Sequence, residues 1–147
     1  MILVSACLCG INCKYNARNN YNENIYNLLE KGEAIPVCPE QLGGLTTPRA
    51  CAEIVGGEGK DVLLNKAKVM NKDCLDLTGN FIKGAMETLK IAKALKVEKA
   101  ILKSNSPSCG RGIIYDGSFS NKKIKGNGVT AELLLQEGIE VITEEDL

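Results

Sequence analysis

Three short apolar runs in this 147-residue chain each end abruptly in a loop that carries cysteine, and this recurrence narrows the folds open to it. Ile2-Leu3-Val4 runs into Ser5-Ala6-Cys7-Leu8-Cys9-Gly10, with Cys13 close behind. Glu33 to Val37 ends in Cys38-Pro39-Glu40. Lys99 to Lys103 ends in Ser104-Asn105-Ser106-Pro107-Ser108-Cys109-Gly110. A short apolar or β-branched run stopped by small and turn-forming residues reads as a buried strand. Such strands, alternating with helical segments, predict a Rossmann-like α/β domain over residues 1–147, a mostly parallel sheet with helices on both faces and small hairpin additions. Loops leaving the carboxyl ends of such strands converge, and ligands bind among them. The three cysteine-bearing loops are therefore expected to meet.

The helical signals fall between these strands. Asn24 is expected to cap a helix from about Ile25 to Lys31, with Ile25, Leu28 and Leu29 on one face and Gly32 as its stop. The clearest helix is Gly79 to Lys96, capped by Thr78 or Asp76. Its Phe81, Ile82, Ala85, Leu89, Ala92 and Leu95 share a buried face, and Lys83, Lys90, Lys93 and Lys96 form the solvated one. Gly128 to Glu137 reads as a last helix and Ile139 to Ile142 as a last strand. Ala52–Val55 and Lys60–Val69, flanking a glycine-rich turn, suggest short antiparallel strands. Ile113–Tyr115 and Gly117–Phe119 suggest a hairpin about Asp116-Gly117. Pro36 weakens the second parallel strand, because proline is confined to edge strands and bulges.

A chain of this length can bury about 70% of its unfolded surface, so cysteine is not needed merely to hold it folded. Equal numbers of acidic and basic residues, 18 of each, argue against a long nucleic acid as partner but leave room for a small anion. No apolar run reaches membrane-spanning length and Met1 leads directly into a strand, so a cytoplasmic protein with no membrane partner, monomeric or homodimeric, is expected. In that compartment seven cysteines point to metal or catalysis before disulfides. The absence of histidine removes the commonest metal ligand and the usual general base. Soft-metal sites must then be mostly thiolate, which favours zinc or an iron–sulfur cluster. No C-x-x-C pair is present, which disfavours zinc ribbons and thioredoxin-type sites. Cys7, Cys13, Cys38 and Cys109, beside glycine, proline or polar residues at strand ends, are the candidate ligands. Cys9, Cys51 and Cys74 read as small buried hydrophobes.

Three blocks together carry a resemblance that spans nearly the whole chain: Val4-Ser5-Ala6-Cys7-Leu8 with Gly10 and Cys13; Val37-Cys38-Pro39-Glu40 with Gly43-Gly44 and Pro48-Arg49; and Ser106-Pro107-Ser108-Cys109-Gly110 with Ile114-Tyr115-Asp116-Gly117. The chain resembles the thiouracil desulfidase (TudS) family. The resemblance implies a 4Fe-4S cluster held by three cysteines, and removal of sulfur from thiouracil or 4-thiouridine monophosphate without net redox change. Matching positions imply Cys7, Cys13 and Cys109 as ligands and Glu40 and Ser106 as catalytic groups. For a nucleotide phosphate, Gly43-Gly44 with Arg49, and Lys122 to Gly128 opening the last helix, are candidate anion sites, since free N–H groups and a helix dipole attract anions. Tyr15, Lys14 and Arg18 are expected to border the base or phosphate. Lys14, Asn16 and Ala17 depart from the family's usual arginine, acidic residue and glycine, Cys9 from its leucine and Cys51 from its proline. These departures bear on substrate preference rather than on the cluster. The alternative is a zinc or iron–sulfur binding module, or a sulfur carrier, without catalysis.

Overall fold

In chain order, the computed structural model of residues 1–147 runs β1 (Ile2–Ser5), a 3-10 turn at Ala6–Cys9, α1 (Glu23–Glu30), β2 (Ala34–Val37), α2 (Pro39–Leu42), β3 (Ala52–Val55), α3 (Gly59–Leu63) and β4 (Lys68–Asn71). The second half runs α4 (Thr78–Ala94), β5 (Lys99–Leu102), β6 (Ile113–Tyr115), β7 (Lys123–Lys125), α5 (Val129–Gln136) and β8 (Glu140–Thr143), closing in a 3-10 turn at Glu144–Asp146.

Strands β2, β1, β5 and β8 pair in that order, every pair parallel. Because all four run the same way, the loops after β1, β2 and β5 leave by one edge, as expected. The order reverses between β1 and β5: the chain steps to β2 on one side of β1 and returns to β5 on the other. In open α/β sheets the crevice outside such a switch point is where ligands sit. Pro36 is accommodated because β2 is an edge strand, paired only with β1.

Alternate side chains divide between the faces. Leu3, Ala100, Leu102 and Val141 join Ala92 of α4 and Ala131 and Leu134 of α5 in one core. Val4, Ala34 and Ile101 pack against Ile25 of α1 on the opposite face. A third core joins β3, β4 and α3 to Phe81, Ala85, Ile114 and Val129. No helix is long and apolar enough to cross a membrane.

Several local expectations are corrected. Asn22, not Asn24, caps α1, its side chain accepting the Ile25 N–H at 3.3 Å. Leu77, with no capping side chain, holds the N-cap position of α4, while Asp76, one of the two residues expected there, accepts the Thr78 N–H from one position earlier; Leu95 lies exposed beyond the helix. The stretch expected as one strand from Lys60 splits into α3, started by a reciprocal Glu58–Asp61 capping box, and β4, which does pair antiparallel with β3. The hairpin partner of β6 is β7, not Gly117–Phe119. Those residues form a loop whose Gly117 and Phe119 N–H groups donate to Glu53.

Candidate active site

The backbone after each strand is fixed before any side chain enters the site. After β1, the Gly10 N–H donates to Cys7 O, with Gly10 at φ 84°, which turns the chain toward Cys13. After β2, Cys38 sits at the N-cap of α2 and Pro39 at its first turn, where a missing N–H costs nothing. After β5, Ser106 Oγ accepts the N–H groups of Ser108 (3.1 Å) and Cys109 (3.0 Å), closing a tight serine-headed turn. The first turn of α5 grips this loop from behind, Val129 N–H donating to Pro107 O and the Thr130 and Ala131 N–H groups to Ser108 O. The opening of the last helix is thus spent on the cysteine loop rather than left free for an anion, a correction to the expectation from Lys122 to Gly128.

These loops enclose a cavity of about 390 Å³, within the ordinary range for small-molecule sites. Cys7, Cys13, Cys38 and Cys109 all line it, as do Glu40, Arg49 and Ser106; Cys51, expected to be an ordinary core thiol, lines it too. Cys9 is buried away from the cavity and Cys74 is exposed. The Cys13 thiol has Cys7 and Cys38 as neighbours. Cys38 and Cys7, reinforced by burial, push it far above the usual thiol range, and the Cys38 thiol donates to Cys13 O at 3.8 Å. The neighbouring Cys13 thiol in turn lowers Cys7 against the effect of burial and brings Cys38 down to about 7. Burial pushes Cys109 up to about 12, although the Ser5 and Ser108 hydroxyls pull the other way. No three of these groups surround a point where one ion would sit. Four thiols on the lining of one cavity are a soft donor set of the kind used by a polynuclear cluster that takes one thiolate per iron.

Beside the thiols runs a chain of polar contacts. Arg49 Nε donates to Glu40 Oε1 at 3.0 Å, and Ser108 Oγ donates to Glu40 Oε2 at 3.3 Å. Ser108 Oγ lies 3.1 Å from Ser106 Oγ. The Arg49 side chain is 8% exposed and its other donors are engaged as well, Nη1 with Thr46 O and Thr47 Oγ1, and Nη2 with Cys13 O at 2.9 Å. Arg49 therefore ties the carboxylate to the Cys13 loop, and little of its fork remains for a phosphate. Gly43 and Gly44 do not line the cavity. A Cβ on Gly43 would lie 2.1 Å from Asn80 O, so the glycine serves close packing of α2 on α4 rather than approach to a ligand. Tyr15 and Lys14 do line the cavity, with the Lys14 ammonium 5.6 Å from the Tyr15 ring centroid; Arg18 does not.

Sequence reasoning missed Ser5, Ser108 and Lys103. Lys103 Nζ donates to Glu144 Oε1 at 2.8 Å, and Ser104 donates to the same carboxylate through both its N–H and its hydroxyl. Burial raises the Glu144 carboxyl, but these hydrogen bonds outweigh it and hold it below its ordinary range. A carboxyl depressed on folding contributes stability above its unfolded pKa and loses it as pH falls through the folded one. Glu144→Gln is accordingly expected to cost about 1–2 kcal/mol at neutral pH. In thermal melts its deficit against the parent protein should close below about pH 4.

An open parallel sheet that gathers four thiols, a guanidinium-paired carboxylate and a serine-headed turn at its switch point defines an α/β protein built to hold a soft-metal group beside a hydrogen-bonded carboxylate–hydroxyl chain. The model of the 2-thiouracil desulfurase family matches residues 2–146, and the chain belongs to that family. It is 51% identical over 147 residues to the uncharacterized protein YbbK of Bacillus subtilis (strain 168), covering 100% of this chain and 97% of that protein. Among solved structures, the 4Fe-4S-dependent thiouracil desulfidase TudS matches with a TM-score of 0.87 and 37% identity over 99% of this chain and 91% of its own.

Proposed function

We propose that this protein is a desulfidase that replaces the sulfur of a thiolated pyrimidine, thiouracil or 4-thiouridine monophosphate, by oxygen from water, releasing hydrosulfide without net redox change. The observation that carries this reading is the meeting, in one cavity of a chain without histidine, of four cysteine thiols with the chain Arg49–Glu40–Ser108–Ser106. Cys7, Cys13 and Cys109 would hold a 4Fe-4S cluster, with Cys38 alongside Cys13. When bound, a cluster with one iron free of cysteine supplies a Lewis acid for a soft thiocarbonyl sulfur.

The remaining work falls to the chain. Glu40 accepts the proton of the attacking water, a contribution of about 10²–10⁴-fold for a well-placed general base. Arg49 holds that carboxylate in place and joins it to the Cys13 loop. Ser106 orients the water through its hydroxyl. Lys14 is the one cavity-lining cation without a carboxylate partner, since Arg49 and Lys103 are paired with Glu40 and Glu144, and it is the side chain we assign to a substrate phosphate. A cluster-binding module without catalysis would have no use for the carboxylate–hydroxyl chain. The test is anaerobic incubation of cluster-loaded protein with 2-thiouracil or 4-thiouridine monophosphate and no reductant, following sulfide together with uracil or uridine monophosphate. Equal appearance of the two products is expected. An absolute need for stoichiometric reductant would remove the non-redox scheme.

A further inference from the structure

Most polar side chains that line the cavity are spent within the protein. Ser5 Oγ accepts the Lys103 N–H at 2.9 Å, and Lys103 Nζ and Ser104 Oγ both meet Glu144. Each nitrogen of Arg49 is engaged, and Glu53 Oε1 takes the Gly117 and Phe119 N–H groups. Three asparagines line the cavity as well, and an amide sets a donor beside an acceptor, which a lone hydroxyl or ammonium cannot. Asn20 is folded onto Cys7, its N–H donating to Cys7 O at 2.9 Å and its amide beside the thiol. Asn121 is exposed. Asn105 is half-buried, and its amide makes no hydrogen bond inside the protein. Its backbone is held: φ is 65°, a left-handed conformation that asparagine tolerates, and it bridges Ile114, which is 1% exposed. Ser104 before it is tied to Glu144 through its N–H at 2.9 Å, and Ser106 after it closes the turn that carries Cys109.

We infer that Asn105 is a specificity-determining residue that reads the imide edge of the thiolated pyrimidine, its amide carbonyl accepting the ring N3–H and its amide nitrogen donating to the ring carbonyl. This deepens the reading of the cavity as a desulfidase site and rests on it. In a thiouracil the N3–H lies between sulfur and oxygen, so the edge runs thiocarbonyl, N–H, carbonyl whether the sulfur is on C2 or on C4. A half-turn of the ring about the axis through N3 exchanges those two carbons. One amide therefore meets the same edge in both isomers and leaves the sulfur on the same side each time. A pair of hydrogen bonds also fixes the ring's rotation within its plane, where a single one would let it swing. Asn105 stands on the loop that carries Ser106 and Cys109, so one held turn sets the ring edge in register with the thiols.

Asn105→Gly separates this role from a conformational one, because glycine adopts a left-handed φ at no steric cost and only the amide is removed. With cluster-loaded protein, kcat/KM for 4-thiouracil and for 2-thiouracil is expected to fall about 10–10²-fold, chiefly through KM, with iron content and thermal melt unchanged. Methylation at N3 removes the same contact from the substrate's side. Wild type should therefore handle 3-methyl-4-thiouracil worse than 4-thiouracil by a similar factor, whereas Asn105→Gly should treat the two alike. Turnover of 4-thiouracil by Asn105→Gly within twofold of wild type, loss of iron from that variant, or a methyl penalty as large in the variant as in wild type would overturn the inference. Equilibrium binding of uracil and 3-methyluracil to the same loaded proteins needs no turnover: wild type should prefer uracil about tenfold and Asn105→Gly not at all. If that preference appears and disappears as stated while no sulfide is released, the edge reading stands and the desulfidase reading fails. If both proteins release sulfide at equal rates and neither prefers uracil, the desulfidase reading stands and this inference fails.

Discussion

Anaerobically prepared Cys109→Ala protein is expected to be colourless and to hold neither iron nor acid-labile sulfide, while Cys74→Ala retains both. Cys109 is 4% exposed and its backbone is pinned from two sides, by Ser106 Oγ in front and the first turn of α5 behind. Shortening it to alanine removes one sulfur and leaves a small void, a packing cost of about 1 kcal/mol that the fold tolerates. What is lost is the one sulfur that the loop after β5 brings to the cavity. Cys7→Ala should behave in the same way. Iron and sulfide analysis beside a thermal melt distinguishes a lost ligand from a lost fold, since equal loss in all three variants would mean misfolding. With Cys13 and Cys38 side by side in the cavity, the third ligand is a sharper question. Cys13→Ala is expected to lose the cluster and Cys38→Ala to keep it. The reverse result would exchange their roles.

Glu40→Gln should keep the cluster and bind the thiolated pyrimidine, yet turn over about 10²-fold more slowly or worse. The amide matches the carboxylate in size and can still accept from Arg49 Nε, so the link from α2 to the Cys13 loop survives in part. It cannot take up the proton that water gives up. Steady-state kinetics should therefore show the loss in kcat rather than KM. Near wild-type turnover would remove Glu40 from the mechanism.

Much of this architecture was legible in the sequence because the informative signals are local. Each thiol loop follows a short apolar strand, and parallel strands deliver their loops to one edge, so convergence could be read without coordinates. The failures are those where a distant partner decides. Five-residue α3 is too short to display helical periodicity, and it forms on the Glu58–Asp61 capping box with Val62 in the core beside Phe81. The chain beyond Tyr115 detours through a loop because Glu53, more than sixty residues earlier, accepts two of its N–H groups. Ser108 read as an ordinary turn residue because its acceptor, Glu40, lies 68 positions away. Gly43 illustrates the opposite error: a glycine pair near a binding motif looks like a ligand approach, whereas its missing side chain makes room for the α4 backbone.

The first turn of α5 spends its amides on Pro107 and Ser108 carbonyls, and this has a bearing on how a charged substrate would be told from a neutral one. A phosphate cradled by helix amides is held by short, directional dipoles that dissolved ions disturb little. With those amides committed inside the protein, the one unpaired cation that a phosphate entering this cavity would meet is the Lys14 ammonium at the end of a flexible chain. Such an attraction is screened within about 10 Å at 0.1 M ionic strength. The preference for a nucleotide over its free base would thus be set by the surrounding medium as much as by the protein: pronounced in dilute buffer and worn away by salt, while the chemistry at the sulfur is left unchanged.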